Sequence, residues 1–346
     1  IGGAISVDNL PSITALTLGS LEELGGLSVS GSDTIETIDF SALVTVTGTL
    51  ESRNNSALET LSLPSLTTIV GDLVLRGGEQ GHPSLKSIEL PSLYTLAGTL
   101  TVMGNDALTT LSMPALTSLG GLECTDNAAL ADIQMQSLGN VSGEFKAQWN
   151  ASPHDWNLTS LKTVGGSLIV SSNPGTTELR VPSLESIGDF FGLEGNASLM
   201  LVETPALKDV GGNLYVSDNA ALASLSFPEL IECGGTVGFY DGNPGLVSFE
   251  LPKLKAVGGT FYIYENHNLV SFDLNQLVTA KGSIIVTNNL SLPSFALPEV
   301  STIGLEPDDE SLGGNLYVTG NDILTHFDVP KLTEIGDFLE VNSNLV

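Results

Sequence analysis

The chain has 346 residues, of which only 15% are charged, yet 40 Asp and Glu stand against 11 Lys and Arg, for a net charge of -29. Such an excess of negative charge repels phosphate backbones and anionic lipid headgroups, which excludes nucleic-acid binding and electrostatic membrane docking as its task. Two cysteines are too few for a disulfide framework, and no apolar run reaches the roughly 18 residues of a membrane-spanning helix.

Residues 1–40 hold two irregular turns of a repeat, with inward apolar pairs predicted at Ile5 and Val7 and at Leu27 and Val29. From Ser41 onward the pattern is P-x-L-x-x-Φ-x-G-x-L-x-Φ-x-x-N-x-x-L-x-x-Φ-x-Φ, with Φ apolar. It is clearest in PALKDVGGNLYVSDNAALASLSF, residues 205–227. Its firmest column is Asn105, Asn127, Asn150, Asn173, Asn196, Asn219, Asn243, Asn266, Asn289, Asn321 and Asn344, spaced by 22 to 24 residues save one gap of 32. Ser32 and Asn55 fill the same place in earlier turns. A proline column (Pro64, Pro91, Pro114, Pro182, Pro205, Pro228, Pro252, Pro298, Pro330) opens most turns, and Gln136, Thr159 and Asn275 open others. Insertions fall near 76–83 (RGGEQGHP), replacing the asparagine of that turn, and near 305–312 (LEPDDESL). Self-similarity at this period marks a solenoid. A length-based expectation of two or three domains therefore gives way to one continuous solenoid over 1–346.

Within each turn three short stretches alternate with period two, which reads as strand, and no helical stretch survives between the Gly, Pro and Asn punctuators. The expected fold is all-β: a right-handed parallel β-helix, or leucine-rich-repeat-like solenoid, of about 14 turns with a ~23-residue repeat. Glycine is expected at a corner with positive φ and proline at a corner that needs no ladder donor. Asparagine is expected at a left-handed corner, its side chains bonding one another along the axis.

The runs SLPSLTTIVGDLVL, MPALTSLGGLECTDNAAL, ADIQMQSLGNVSG and FPELIECGGTVGF resemble the receptor L-domain type of leucine-rich solenoid. More closely, the chain is similar to the fungal GPI-anchored cell-wall organisation proteins related to the sporulation-specific surface protein. The resemblance implies a secreted, N-glycosylated, wall-associated protein that supports wall integrity and has no known enzyme activity. Cysteine-bearing caps and a Ser/Thr-rich tail with an anchor signal are not seen, so a GPI anchor is implied by resemblance alone. The first residue is Ile1 and the last, Val346, falls within a turn, which leads to the expectation of a processed or trimmed ectodomain.

Chemistry is sparse. No G-x-S-x-G, P-loop or H-E-x-x-H is present, and His82, His154, His267 and His326 lack metal-ligand spacing. No enzyme and no cofactor is predicted. Glu306, Asp308, Asp309 and Glu310 carry oxygen ligands of the kind calcium takes, without the spacing of a calcium loop, and read first as a solvated acidic loop. Cys124 and Cys233 fall at inward places, as small hydrophobes. Sequons occur at Asn54, Asn140, Asn150, Asn157, Asn196 and Asn289. Glycans are expected on the outward Asn54, Asn140 and Asn157 before the column residues Asn150, Asn196 and Asn289.

The outward places of the x-L-x-Φ strand read Ile169, Tyr215, Tyr262, Ile285 and Tyr317, with Tyr240 and Tyr264 close by. Earlier turns carry Ser6, Ser28, Glu51, Thr101, Glu123 and Lys146 there. Exposed aromatics in a row stack on sugars or cover a partner, whereas tyrosine and isoleucine also simply suit strands. The leading expectation is a non-enzymatic extracellular protein of the cell surface or wall. Its partner is a wall glycan or a surface protein, and any membrane attachment is through a lipid anchor. A self-assembling surface protein and a receptor-type ligand-binding ectodomain stay open.

Overall fold

A computed structural model describes residues 2–77, 82–152, 154–240, 242–304 and 314–344. They form an all-β parallel solenoid of about 14 turns, with no helix among the described residues. Two compact units divide it, Ile1–Gly166 with Ser172–Val181, and Ser167–Ser171 with Pro182–Val346.

The same turn builds both units. In the first it comprises a four-residue strand, Leu50–Arg53, a three-residue strand, Thr60–Ser62, and a two-residue strand, Thr68–Ile69. In the second it comprises Leu214–Ser217, Ser224–Ser226 and Glu232–Cys233. These strands stack on their equivalents into a long, a middle and a short face. Pairing is parallel and in register: Leu50 lies beside Leu73 and Leu73 beside Leu100, and in the second unit Leu214 beside Val237 and Val237 beside Phe261. Period-two alternation sends Leu73, Leu75, Leu100 and Val102 inward, each 0% exposed, and the faces close around that core. In the second unit aromatic rings stack along the middle face, the buried Phe249 on the half-buried Phe272 at 5.4 Å and the buried Phe295 on the half-buried Phe327 at 5.2 Å.

The proline column occupies the second position of a β-turn, closed by Leu66 N–H to the Leu63 carbonyl at 3.2 Å and by Leu230 N–H to Phe227 at 3.3 Å. That position needs no N–H and suits the fixed proline φ. Gln136, Thr159 and Asn275 hold the same place in turns closed at 3.0 to 3.1 Å.

A second turn begins at the asparagine, whose carbonyl accepts from the residue three on: Leu58 to Asn55 and Leu222 to Asn219, both at 3.2 Å. The side chain points into the core and is 0% exposed at Asn127, Asn150, Asn219 and Asn289. Asn219 Nδ2 donates to the Leu193 carbonyl of the turn before at 2.9 Å, and its Oδ1 accepts from Asn196 N–H at 3.2 Å. In the first unit Asn127 Nδ2 donates to the Val102 carbonyl at 2.9 Å, and its N–H donates to Asn150 Oδ1 at 3.1 Å. One amide thus supplies donors and an acceptor that close backbone groups on neighbouring turns.

Two expected corner roles are corrected. The left-handed residue is not the asparagine but the one before it: Asn54 (φ 52), Asp126 (φ 57), Asp218 (φ 52) and Glu265 (φ 58), or glycine, as at Gly104 and Gly195. The corner glycines Gly48 and Gly234 have no positive φ. Close approach requires them instead, since a Cβ would lie 2.3 Å from the Gly25 carbonyl oxygen and 2.1 Å from that of Gly211.

In the turn that lacks an asparagine, His82 stands in the column: its carbonyl accepts from Leu85 N–H at 3.1 Å and its Nε2 lies 3.0 Å from Ser52 Oγ. His82 is 0% exposed, and burial pushes its pKa down from 6.5 to about 4, opposed in part by the Asn105 side chain. His154, four residues after the column Asn150 and one place beyond the repeat's inward leucine, is also buried, bonded through Nε2 to Thr176 Oγ1 at 3.1 Å and set edge-on to Trp156. Its pKa is also lowered, by burial first.

Removing a buried amide strands the carbonyl and N–H groups it closes, so Asn219→Ala is expected to destabilise the chain by about 2–4 kcal/mol, read as a lower urea midpoint. For His82 the folded pKa lies below the unfolded one, so the unfolded chain takes the proton first. The stability of the neutral form is complete above about pH 6.5 and is lost as pH falls toward 4, by roughly 3 kcal/mol in total. His82→Asn should remove that loss, and unfolding midpoints of wild type and variant measured at pH 7.5 and 4.5 should converge at the higher pH and separate at the lower one.

Candidate functional site

On the long face of the second unit the second residue of each strand points outward. In register these are Ile169, Gly192, Tyr215, Gly238, Tyr262, Ile285, Tyr317 and Glu340. Their strand neighbours Leu214, Phe261 and Ile263 are buried at 0%, so alternation holds Tyr215 and Tyr262 half-exposed on a rigid sheet.

The glycines in this row are recesses. A Cβ at Gly238 would lie 2.9 Å from Tyr240 Cδ1 and 3.1 Å from Tyr215 Cδ1, and one at Gly192 would lie 2.5 Å from Phe190 Cε1. Rings from the flanking positions therefore lie over the bare backbone. Phe190 meets Tyr215 edge-to-face at 5.5 Å, and Tyr215 meets Tyr240 at 5.3 Å with planes at 85°. Such edge contacts suit the ring quadrupoles and hold each ring in place. The result is an open cleft of about 390 Å³ lined by Tyr215, Tyr240, Tyr262, Tyr264 and Ile285. Burial raises the Tyr215 pKa, with a hydrogen bond from Thr236 opposing, so the hydroxyl stays neutral.

Tyr317 keeps the row but lies outside that lining, edge-to-face on Phe338 at 5.3 Å. Phe190, Phe338, Gly192 and Gly238 were missed by sequence reasoning. The signal for the glycines was present: FFGL and VGFY put glycine where the repeat has an outward side chain. A second side-chain ladder borders the row, with Thr236 N–H to Asn213 Oδ1 at 2.8 Å, Ser283 N–H to Thr260 Oγ1 at 3.2 Å and Asn315 N–H to Ser283 Oγ at 3.1 Å.

The first unit's long face is different chemistry. Its row reads Ser6, Ser28, Glu51, Val74, Thr101, Glu123 and Lys146. Glu51 pairs with Arg53, and Glu123 lies 3.8 Å from Arg76 and 3.7 Å from Lys146. A polar hollow of about 560 Å³ in this unit is lined by Glu36, Ala57, Glu59, Thr60 and Ser84.

Both cysteines are free and buried, and burial raises their pKa, to about 12 for Cys124 and about 11 for Cys233, so neither is a ready thiolate. Among the described residues no group of three or more His, Cys, Asp or Glu is placed to hold a metal ion. Glu306, Asp308, Asp309 and Glu310 lie outside the described residues.

The sequons divide by burial. Asn54, Asn140 and Asn157 are exposed, whereas Asn150, Asn196 and Asn289 are 0% exposed with Nδ2 committed to the carbonyls of Cys124, Val170 and Ile263.

No family model matches the chain, and no curated protein matches it. Among solved structures, a leucine-rich repeat protein from Bacteroides ovatus is similar at 14% identity and a TM-score of 0.36, over 97% of this chain and 83% of that one. A leucine-rich cell surface protein from Faecalibacterium prausnitzii is similar at 12% identity and a TM-score of 0.21, over 72% of this chain and 79% of that one. The resemblance to fungal GPI-anchored wall proteins gains no support from these comparisons.

Attaching a glycan to a buried column amide would remove a donor from the core. Glycopeptide mapping of chain made in a glycosylating host is expected to find Asn54, Asn140 and Asn157 occupied and Asn150, Asn196 and Asn289 bare. The reverse pattern would overturn the assignment.

Proposed function

We propose that this chain is a non-enzymatic extracellular protein of a cell surface or wall, which holds a glycan against the outer long face of its second unit. The observation that carries the reading is the cleft of four tyrosines and an isoleucine, Tyr215, Tyr240, Tyr262, Tyr264 and Ile285, set on in-register strands. Tyrosine joins an apolar ring face, against which the C–H face of a sugar stacks, to a hydroxyl that bonds the sugar's edge. The rings are placed by a parallel ladder and by each other, so little ordering is left to be done on binding. The buried, protonated cysteines leave the acidic outer surface and this aromatic row to do the work. A wall-organising role, implied by the resemblance of the repeats, is the natural use of such a face, which would hold wall polymer along the stacked strands of the second unit.

The test is the double variant Tyr215→Ala with Tyr262→Ala. Both side chains point away from the core, so the melting temperature is expected to move by only a few degrees. Association with isolated wall material should fall roughly 10- to 100-fold, the loss expected when central aromatic anchors are truncated. Unchanged association with unchanged melting would remove this reading.

A further inference from the structure

The glycan-site reading of the tyrosine cleft leaves the class of sugar open; resting on that reading, we infer that the ligand is an extended chain of amino sugars carrying free ammonium groups. Charge comes first. The long-face strands of this unit, LIVS, FGLE, LYVS, VGFY, FYIY, IIVT, LYVT and LEVN, contain no lysine, arginine or histidine. Glu194 ends one of them, and Asp218 and Glu265 follow directly on Ser217 and Tyr264. In a chain of net charge -29 this face repels sulfated, phosphorylated or uronic polymers and attracts cations.

The rings supply the second argument. Tyr215 and Tyr240 stand at 85° to each other, so the cleft presents two differently directed ring faces. One serves sugar C–H stacking, and the other faces an ammonium group, which the ring quadrupole attracts. The third argument is extent. Tyr215 and Tyr262 are two turns apart, about 10 Å at ~4.8 Å per strand, so the row suits an extended chain and not a single compact ion. An extended peptide is disfavoured because it would add to a free strand edge, and the strand Leu214–Ser217 is already paired on both sides, with Phe191–Glu194 and Val237–Tyr240.

The full glycosylated chain is titrated calorimetrically with a fully deacetylated glucosamine oligomer, its N-acetylated counterpart, a glucose oligomer of equal length, and choline. The deacetylated oligomer is expected to bind on the order of tenfold tighter than either neutral oligomer, and that preference should shrink as salt screens the carboxylates. Tyr262→Leu should weaken it about tenfold, whereas Tyr262→Phe, which keeps the ring and loses only the hydroxyl, should weaken it by clearly less and keep the preference for the deacetylated oligomer. Glu194→Gln with Asp218→Asn should abolish the preference and leave neutral-sugar binding as it was. Equal binding of neutral and deacetylated oligomers overturns this inference while the glycan site stands. Choline binding as tightly as the deacetylated oligomer also overturns it, in favour of a small-cation site. Absence of binding by every sugar removes the inference together with the site reading beneath it.

Discussion

The structure depends on a buried side-chain amide that joins each turn to its neighbours. A stack of short strands has ladder bonds along its faces but must break them at every corner, and corner groups left inside would be costly. Asparagine closes them with one planar group: Nδ2 reaches back to a carbonyl of the previous turn, and Oδ1 receives that turn's N–H. The constraint survives insertions. Across the widest gap, Asn289 N–H still meets Asn321 Oδ1 at 3.0 Å, and after the first insertion Asn105 Nδ2 still meets the Leu75 carbonyl at 3.0 Å. The strands on either side of both insertions stay in register, Leu73 beside Leu100 and Ile284 beside Leu316.

A pinned register turns the surface into columns. Residues about 23 apart in sequence lie side by side on a face, so the outer chemistry is set by what each column contains. The exposed lysine–glutamate pairs between turns, Lys86 with Glu59 and Lys208 with Glu185, are products of that stacking and add little stability each. The row from Gly192 to Tyr317 is different, because aromatic residues alternate with glycine before the row runs on. Bare backbone beneath Phe190 and Tyr240 lets rings lie across the sheet and meet at right angles, making a walled cleft on what would otherwise be a flat ladder.

The core tolerates polar substitutes where geometry allows. His82 sits in the place that the repeat gives to asparagine and His154 is buried just past the place it gives to leucine, each with a hydroxyl partner from a neighbouring turn, Ser52 and Thr176. Burial keeps both neutral, and it keeps Cys124 and Cys233 protonated. Buried polarity among the described residues is therefore structural, and the proposed recognition rests on the half-exposed tyrosines.

The sequence by itself determined the period, the all-β class, the inward and outward alternation, the asparagine ladder, the burial of both cysteines and the exposure of three sequons. Each follows from a pattern that repeats locally along the chain. It also put Tyr215, Tyr262 and Ile285 in one outward row. Only the tertiary structure decided that the left-handed corner belongs to the residue before each asparagine. The same holds for the corner glycines Gly48 and Gly234, required by backbone approach and not by φ, and for His82 in the column. It also decided that glycine recesses fold Phe190 and Tyr240 over the row. These depend on how closely successive turns approach and on which way rings turn, distances set between residues a full turn apart that no local pattern encodes.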